Sequence, residues 1–238
     1  MNLTVKLNDV LFLDIETVPQ KENWNQLSKE TQELYQKKTK YQRKDEIEVE
    51  DFYHRAGIWA EFGKIICISV GYFVENDGEN QLRITSFFGD DEAKILTAFK
   101  ELIDKHFNQD KHLLCAHNGK EFDFPYIARR MIINQINLPK KLNLFGKKPW
   151  EVPHLDTLDL WKFGDYKHYT SLKLLTNILG IPSPKQDIDG SEVANVYYQE
   201  KNLKRIVEYC ERDTVAVAQL VLRFLNKPML AESAIVKV

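Results

Sequence analysis

The stretch LFLDIETVP, Leu11 to Pro19, reads as a buried β-strand that carries two carboxylates. Side chains alternate along a strand, so positions i and i+2 share a face, about 6.6 Å apart. Leu11, Leu13 and Ile15 form one apolar face, and Phe12, Asp14 and Glu16 share the other. Two like charges side by side repel unless solvent or a cation separates them. Three arrangements accommodate the pair: a solvated strand end, a separate basic partner for each acid, or a metal ion held by both. The strand alone does not choose among them.

The bulk numbers narrow the class. A chain of 238 residues with 43% hydrophobic side chains suits one large domain with a substantial core. The formal net charge of −2 lacks the basic excess expected of a broad grip on duplex DNA. It leaves open an enzyme that acts on a short single strand or a chain end. Cys67, Cys115 and Cys210 lie far apart in apolar surroundings with no CxxC pair, so we expect buried free thiols in a reducing compartment. MNLTVKLNDV has no apolar signal core, and the longest apolar run, IICISVGYFV, is too short to cross a bilayer. The expectation is a soluble cytoplasmic protein with no membrane partner.

Along the chain, a first strand over Leu11–Ile15 precedes a charged, helix-prone segment at 23–61, read as a helical insertion of one or two helices. Its KYQRK cluster, Lys40 to Lys44, reads as a solvated basic face. Strands follow at Lys64–Val74 and Leu82–Phe88, joined by a hairpin turn, then a helix over Asp90–Phe107 and a short strand over His112–Ala116. Phe124–Gln135 reads as helix and Asn137–Val152 as a lysine-rich loop, whose Lys140, Lys141, Lys147 and Lys148 suit solvent or a strand backbone. HLDTLDLWKF runs from a strand or turn into a helix, Ser171–Leu179 is a short helix ended by Gly180, and Asn202–Asn226 is a long amphipathic helix. His154 and His168 lack paired ligand spacing and read as structural. The order of elements predicts an α/β fold, a mixed sheet flanked by helices, in a single domain over 1–238.

Two further acids resist a purely structural reading. Asp213 falls within the apolar stripe of the last helix, between Cys210 and Val217, where a carboxylate is costly unless compensated. Tyr209 sits one turn earlier over the same patch. In LLCAHNGKEFDFPYIARR, Asp123 precedes Phe124-Pro125 at a helix start, where capping alone would explain it. Asn118 in the same loop suits a turn. Asp156 and Asp159 read as capping or supporting residues. Phe12 and Phe122 read as core packing, with base stacking as the alternative.

Taken in order, DIETVP, HNGKEFDFPYI and YCERDTVAV resemble the three motifs of the DEDD 3'–5' exonuclease superfamily. The Tyr-x-x-x-Asp spacing of YCERD is similar to its tyrosine subclass. The wording looks most like stand-alone exonucleases related to the proofreading domain of family B DNA polymerases. The long charged segment after the first motif departs from the family core. The resemblance implies an RNase H-like fold and hydrolysis of single-stranded nucleic acid from the 3' end by a two-metal mechanism. It implies Asp14, Glu16, Asp123 and Asp213 as ligands of two ions, Mg²⁺ or Mn²⁺, which suit hard carboxylate oxygens. It implies Tyr209 as the group that orients the attacking water, and Thr17 and Asn118 as neighbours of the terminal nucleotide. No polymerase region follows the third motif, so any proofreading is expected to act in trans. DNA is the expected substrate. An enzyme that trims RNA or degrades oligoribonucleotides is the alternative on the same residues, and a non-catalytic nucleic-acid-binding module is a further one.

Overall fold

The computed structural model describes residues 5–43, 46–76, 79–165, 167, 169–182 and 188–238. The hairpin tip at 77–78, Lys44 and His168 lie outside the described residues. The strands are β1 (Val10–Pro19), β2 (Gly63–Asn76), β3 (Glu79–Phe88), β4 (Leu113–Ala116), β5 (Leu155–Asp156) and β6 (Ile235–Lys237). They form one sheet in the order β5-β4-β1-β2-β3-β6. β1, β2 and β3 run antiparallel, whereas β4 lies parallel to β1, β5 to β4 and β6 to β3. The mixed sheet matches the expected α/β class.

Helices cover both faces. In chain order they are α1 (Lys29–Arg43), α2 (Val49–Phe52), α3 (Glu92–His106), α4 (Asp123–Ile133), α5 (Thr157–Lys162), α6 (Leu172–Ile178), α7 (Val193–Tyr198) and α8 (Leu203–Phe224). Alternation along β1 sorts its side chains. Leu11, Leu13 and Ile15 pack with Phe99 of α3 and Ile127 of α4. On the other face Phe12 packs against Val217 and Val221 of α8.

α8 comes close because β2 presents small residues beneath it. Gly71 lies opposite Phe12 and Ser69 opposite Asp14. A Cβ on Gly71 would sit 2.8 Å from Ile84 Cδ1 and 3.3 Å from Thr214 Cγ2, too close on both sides. The β1–β2 pairing slips between Glu16 and Thr17, leaving Ile66 as a bulged residue between Cys67 and Ile65. Such a bulge re-aims side chains locally, and here it falls beside the acidic pair.

The insertion at 23–61 forms the expected helices, plus a 3₁₀ segment over Tyr53–Ile58. It has its own aromatic core: Tyr35 is fully buried and meets Trp24, Tyr53, Trp59 and Phe62 edge-on. It also leans on β1, where Gly57 passes so near Val18 that a Cβ there would lie 3.1 Å from its carbonyl carbon. Arg43, expected on a solvated basic face, instead points inward to Thr39 Oγ1 (3.2 Å) and Ile47 O (2.9 Å).

Three elements differ from the sequence expectation. The first strand extends to Pro19, because Thr17–Pro19 continue pairing with Gly63–Ile65 beyond the bulge. α7 and β6 are additional. β6 is only three residues and gains its place by pairing with Leu82–Ile84, a contact no local pattern announces.

Candidate active site

β1 aims Asp14 and Glu16 at α8. Glu16 is buried, with 7% of its surface exposed. α8 starts at Asn202, whose side chain caps Arg205 N at 3.2 Å, and it presents Ile206, Cys210, Thr214 and Val217 to the sheet. Cys210 fixes the helix at the acidic pair: its thiol donates to the backbone oxygen of Asp14 at 3.3 Å. This register brings Tyr209 and Asp213 over β1, one helical turn apart on the same face of α8. Beyond Phe12, β1 no longer pairs with the short β4. There Asp123 enters, 4% exposed, accepting from the Ile15 backbone N–H. Phe122, not Asp123, occupies the cap position of α4. The helix-capping explanation for Asp123 therefore does not hold.

All four acids are held above the ordinary carboxylate range. Burial pushes Asp14 well up, and the charges of Asp213 and Asp123 add to it. Burial does the same to Glu16, with Asp14 the next contributor. Asp123 is pushed up to about 7 by burial, against backbone N–H bonds that favour its charged form. Asp213 rises to about 6 through burial, against the Tyr209 hydroxyl and Arg212. Burial and then Asp213 raise the Tyr209 phenol, so it stays protonated at neutral pH. Carboxylate oxygens of Asp14 and Glu16 lie with Cys210 Sγ within 4.8 Å of one another. Asp14 Oδ2 is buried without a hydrogen-bond partner. An unsatisfied buried carboxylate oxygen among other acids is costly, and a bound cation removes that cost.

The remaining expected residues fall around this cluster. The Thr17 hydroxyl donates to Gly57 O at 2.8 Å, tying β1 to the insertion. Asn118 adopts φ 63°, a left-handed conformation that Asn tolerates, and opens the turn into α4. Its N–H and that of Lys120 donate to the two oxygens of Asp156 at 2.9 and 3.0 Å. Asp156 also caps α5 through Leu158 N at 2.9 Å, so the supporting role expected of it holds. Phe12 is fully buried and Phe122 packs on the core. His154 is buried between Leu114 N and Lys141 O, as a structural histidine should be. The four loop lysines divide. Lys140 pairs with Asp110 at 2.6 Å, and buried Lys141 donates to His112 O at 2.6 Å. Lys147 and Lys148 remain exposed.

Two residues near the cluster escaped the sequence reading. His117 is held by Thr157 Oγ1 and Thr170 O, each at 2.9 Å. It steadies the neighbouring Tyr169, an exposed ring in edge contact with it. The Tyr169 phenol is raised by burial and then by Asp123 and Asp156. His117 opens the HNGKEFDFPYI segment without being singled out there, and Tyr169 lies outside all three motifs.

Comparison with known proteins places this fold. The family model of the RNase H superfamily matches residues 47–224. Among solved structures, the chain is similar to the family B DNA polymerase from the hyperthermophilic archaeon Pyrobaculum calidifontis, with a TM-score of 0.54 and 18% identity. That match covers 90% of this chain and 24% of the polymerase, and at such identity it speaks for the fold alone. The family match runs from within the insertion to the end of α8, taking in every strand from β2 to β5. The chain belongs to the RNase H superfamily and carries its nuclease-type fold.

Proposed function

We propose that this chain is a metal-dependent 3'–5' exonuclease that removes nucleotides from the 3' end of single-stranded nucleic acid, DNA in preference to RNA. The observation that carries the reading is the group of buried Glu16 and Asp123 with half-buried Asp14 and Asp213, all pushed upward, with Asp14 Oδ2 unsatisfied. This donor set fits a divalent cation. The four carboxylates offer hard oxygens, of which those of Asp14 and Glu16 already lie close together with the Cys210 thiol beside them, and charge neutralisation would relieve their repulsion. We further propose that the sheet and the 23–61 insertion act as one domain.

The four carboxylates would hold two ions, Mg²⁺ or Mn²⁺, which when bound supply charge stabilisation at the attacking water and the leaving 3'-oxygen. The chain's own contribution follows from the groups around them. The Ile15 N–H holds Asp123 and keeps its carboxylate beside β1. The Cys210 bond to Asp14 O fixes the distance between strand and helix. Tyr209 keeps its single proton and can give it in a hydrogen bond to a water at the scissile phosphate, from one turn of α8 before Asp213. Asn118 and Thr17 would border the terminal nucleotide from the turn before α4 and the end of β1.

Degradation of 5'-end-labelled single-stranded DNA and RNA, side by side with Mg²⁺, Mn²⁺ or EDTA, tests the reading. A ladder shortening from the 3' end, faster on DNA and absent in EDTA, is expected. Internal cuts, or equal hydrolysis in EDTA, would contradict it. Faster loss of RNA would transfer the substrate to the ribose series, where the pocket must admit a 2'-hydroxyl.

A further inference from the structure

A groove of about 360 Å³ runs between α4 and the 138–152 loop. Its lining holds three cations, Lys120, Arg129 and Lys147, and no carboxylate. In a chain of net charge −2 that is a local reversal of sign. Lys120 is partly offset by Asp159 at 3.5 Å. Arg129 and Lys147 have no ion pair among the described residues. Their surroundings are apolar and open. Phe145 is 73% exposed on the groove wall. Beyond the lining, Trp150 is equally bare, with Lys148 Nζ 5.3 Å from its ring centroid.

Two facts point to the occupant. The first is chemical: cations interleaved with exposed aromatic rings suit a flexible polyanion whose bases can stack. The second is position. Lys120 and Phe124, which line the groove, bracket Asp123 in the chain, and Lys120 belongs to the Asn118–Lys120 turn that Asp156 orders. The groove and Asp123 thus share the N-terminal end of α4. The division of the loop lysines fits this arrangement, since Lys140 and Lys141 are engaged locally while Lys147 faces the groove.

We propose that this groove binds single-stranded nucleic acid upstream of its 3' end, with Arg129 and Lys147 on phosphates and Phe145 stacked on a base. The inference rests on the exonuclease reading for its direction, but not for its measurement. The test is binding of 5'-fluorescein-labelled dT12 and dT3 to the full-length chain in EDTA, by anisotropy across a salt series.

Wild type should bind dT12 more tightly than dT3. Phe145→Ala should weaken dT12 binding by about 5- to 100-fold, the range for one base–aromatic stack. Arg129→Gln/Lys147→Gln should lower the slope of log Kd against log salt by about 0.7 for each phosphate no longer neutralised. The same charge removed elsewhere, in Lys37→Gln/Lys105→Gln, should leave that slope unchanged. Wild-type affinity, slope and length dependence in both groove variants, or no binding of dT12 by wild type, would overturn the proposal. A chain that binds dT12 through the groove yet never hydrolyses it with Mg²⁺ or Mn²⁺ would overturn the exonuclease reading and leave the groove standing. Hydrolysis with dT12 binding indifferent to the groove variants would do the reverse.

Discussion

The two faces of β1 and β2 each bury carboxylate, and they treat it in opposite ways. On the α3–α4 side, Glu92 accepts from Ile65 N (2.7 Å), Arg130 Nε (2.8 Å) and Asn134 Nδ2 (2.9 Å). Its second oxygen also meets Arg130 Nη2. On the α8 side, Asp14 and Glu16 lie among other acids, and one oxygen of Asp14 has no hydrogen-bond partner. Burial is common to both, so burial does not mark a functional acid. What separates them is the supply of donors and cations. Glu92 is complete within the chain, whereas the Asp14 group leaves an oxygen unsatisfied, which on the proposed function a cation would complete.

The sharpest way to break this contrast is to remove one charged group from each side. Asp14→Ala should reduce hydrolysis of single-stranded DNA by about 10³-fold or more, roughly 4 kcal/mol of barrier. The same change removes a like charge from a repelling cluster, so the melting temperature in EDTA should hold or rise. A fall would make Asp14 a structural residue like Glu92. Conversely, Arg130→Met leaves Glu92 buried without its cation. It should destabilise the fold by about 3–5 kcal/mol in urea titration, while activity per folded molecule survives. A near-neutral result would show that Glu92 tolerates the loss that the α8-side acids live with.

Tyr209→Phe sharpens the contrast within the cluster. It keeps the ring and deletes the hydroxyl beside Asp213. Single-turnover rates should fall by about 10- to 1000-fold, with substrate affinity and metal dependence kept. Wild-type rates would reduce Tyr209 to packing.

The smallest effect is on pH. Asp123 at about 7 and Asp213 at about 6 hold protons more tightly folded than unfolded. Their contribution to stability is therefore full below the ordinary carboxylate value and lost as pH rises through those values. In EDTA the melting temperature should fall between about pH 5 and about pH 8, and saturating Mn²⁺ should reverse the trend, because the cation takes the deprotonated form. An unchanged trend with Mn²⁺ would contradict the assignment.

Much of this was readable in the sequence, for identifiable reasons. The alternation of Leu11–Glu16 and the stripe of α8 reported which face each acid occupies, since both periods are set by backbone geometry. The placement of Asp123 beside Ile15 depends on β4 stopping short, which no local pattern encodes. Glu92 was invisible for a similar reason. Its four donors come from Ile65 and from Arg130 and Asn134 one helical turn apart, all distant from Glu92 in sequence, so nothing local marked it. α7 follows a stretch without clear periodicity, and β6 owes its existence to the edge of β3.

The central claim is that the α8-side acids form an incomplete site completed by divalent cations. Calorimetric titration of Mn²⁺ into the metal-free protein, wild type against Asp14→Asn, tests it most directly. The account predicts saturable binding by wild type, two ions per chain, and severe loss in Asp14→Asn, which preserves shape but removes the charge. Equal binding by both proteins, or none by wild type, would contradict it.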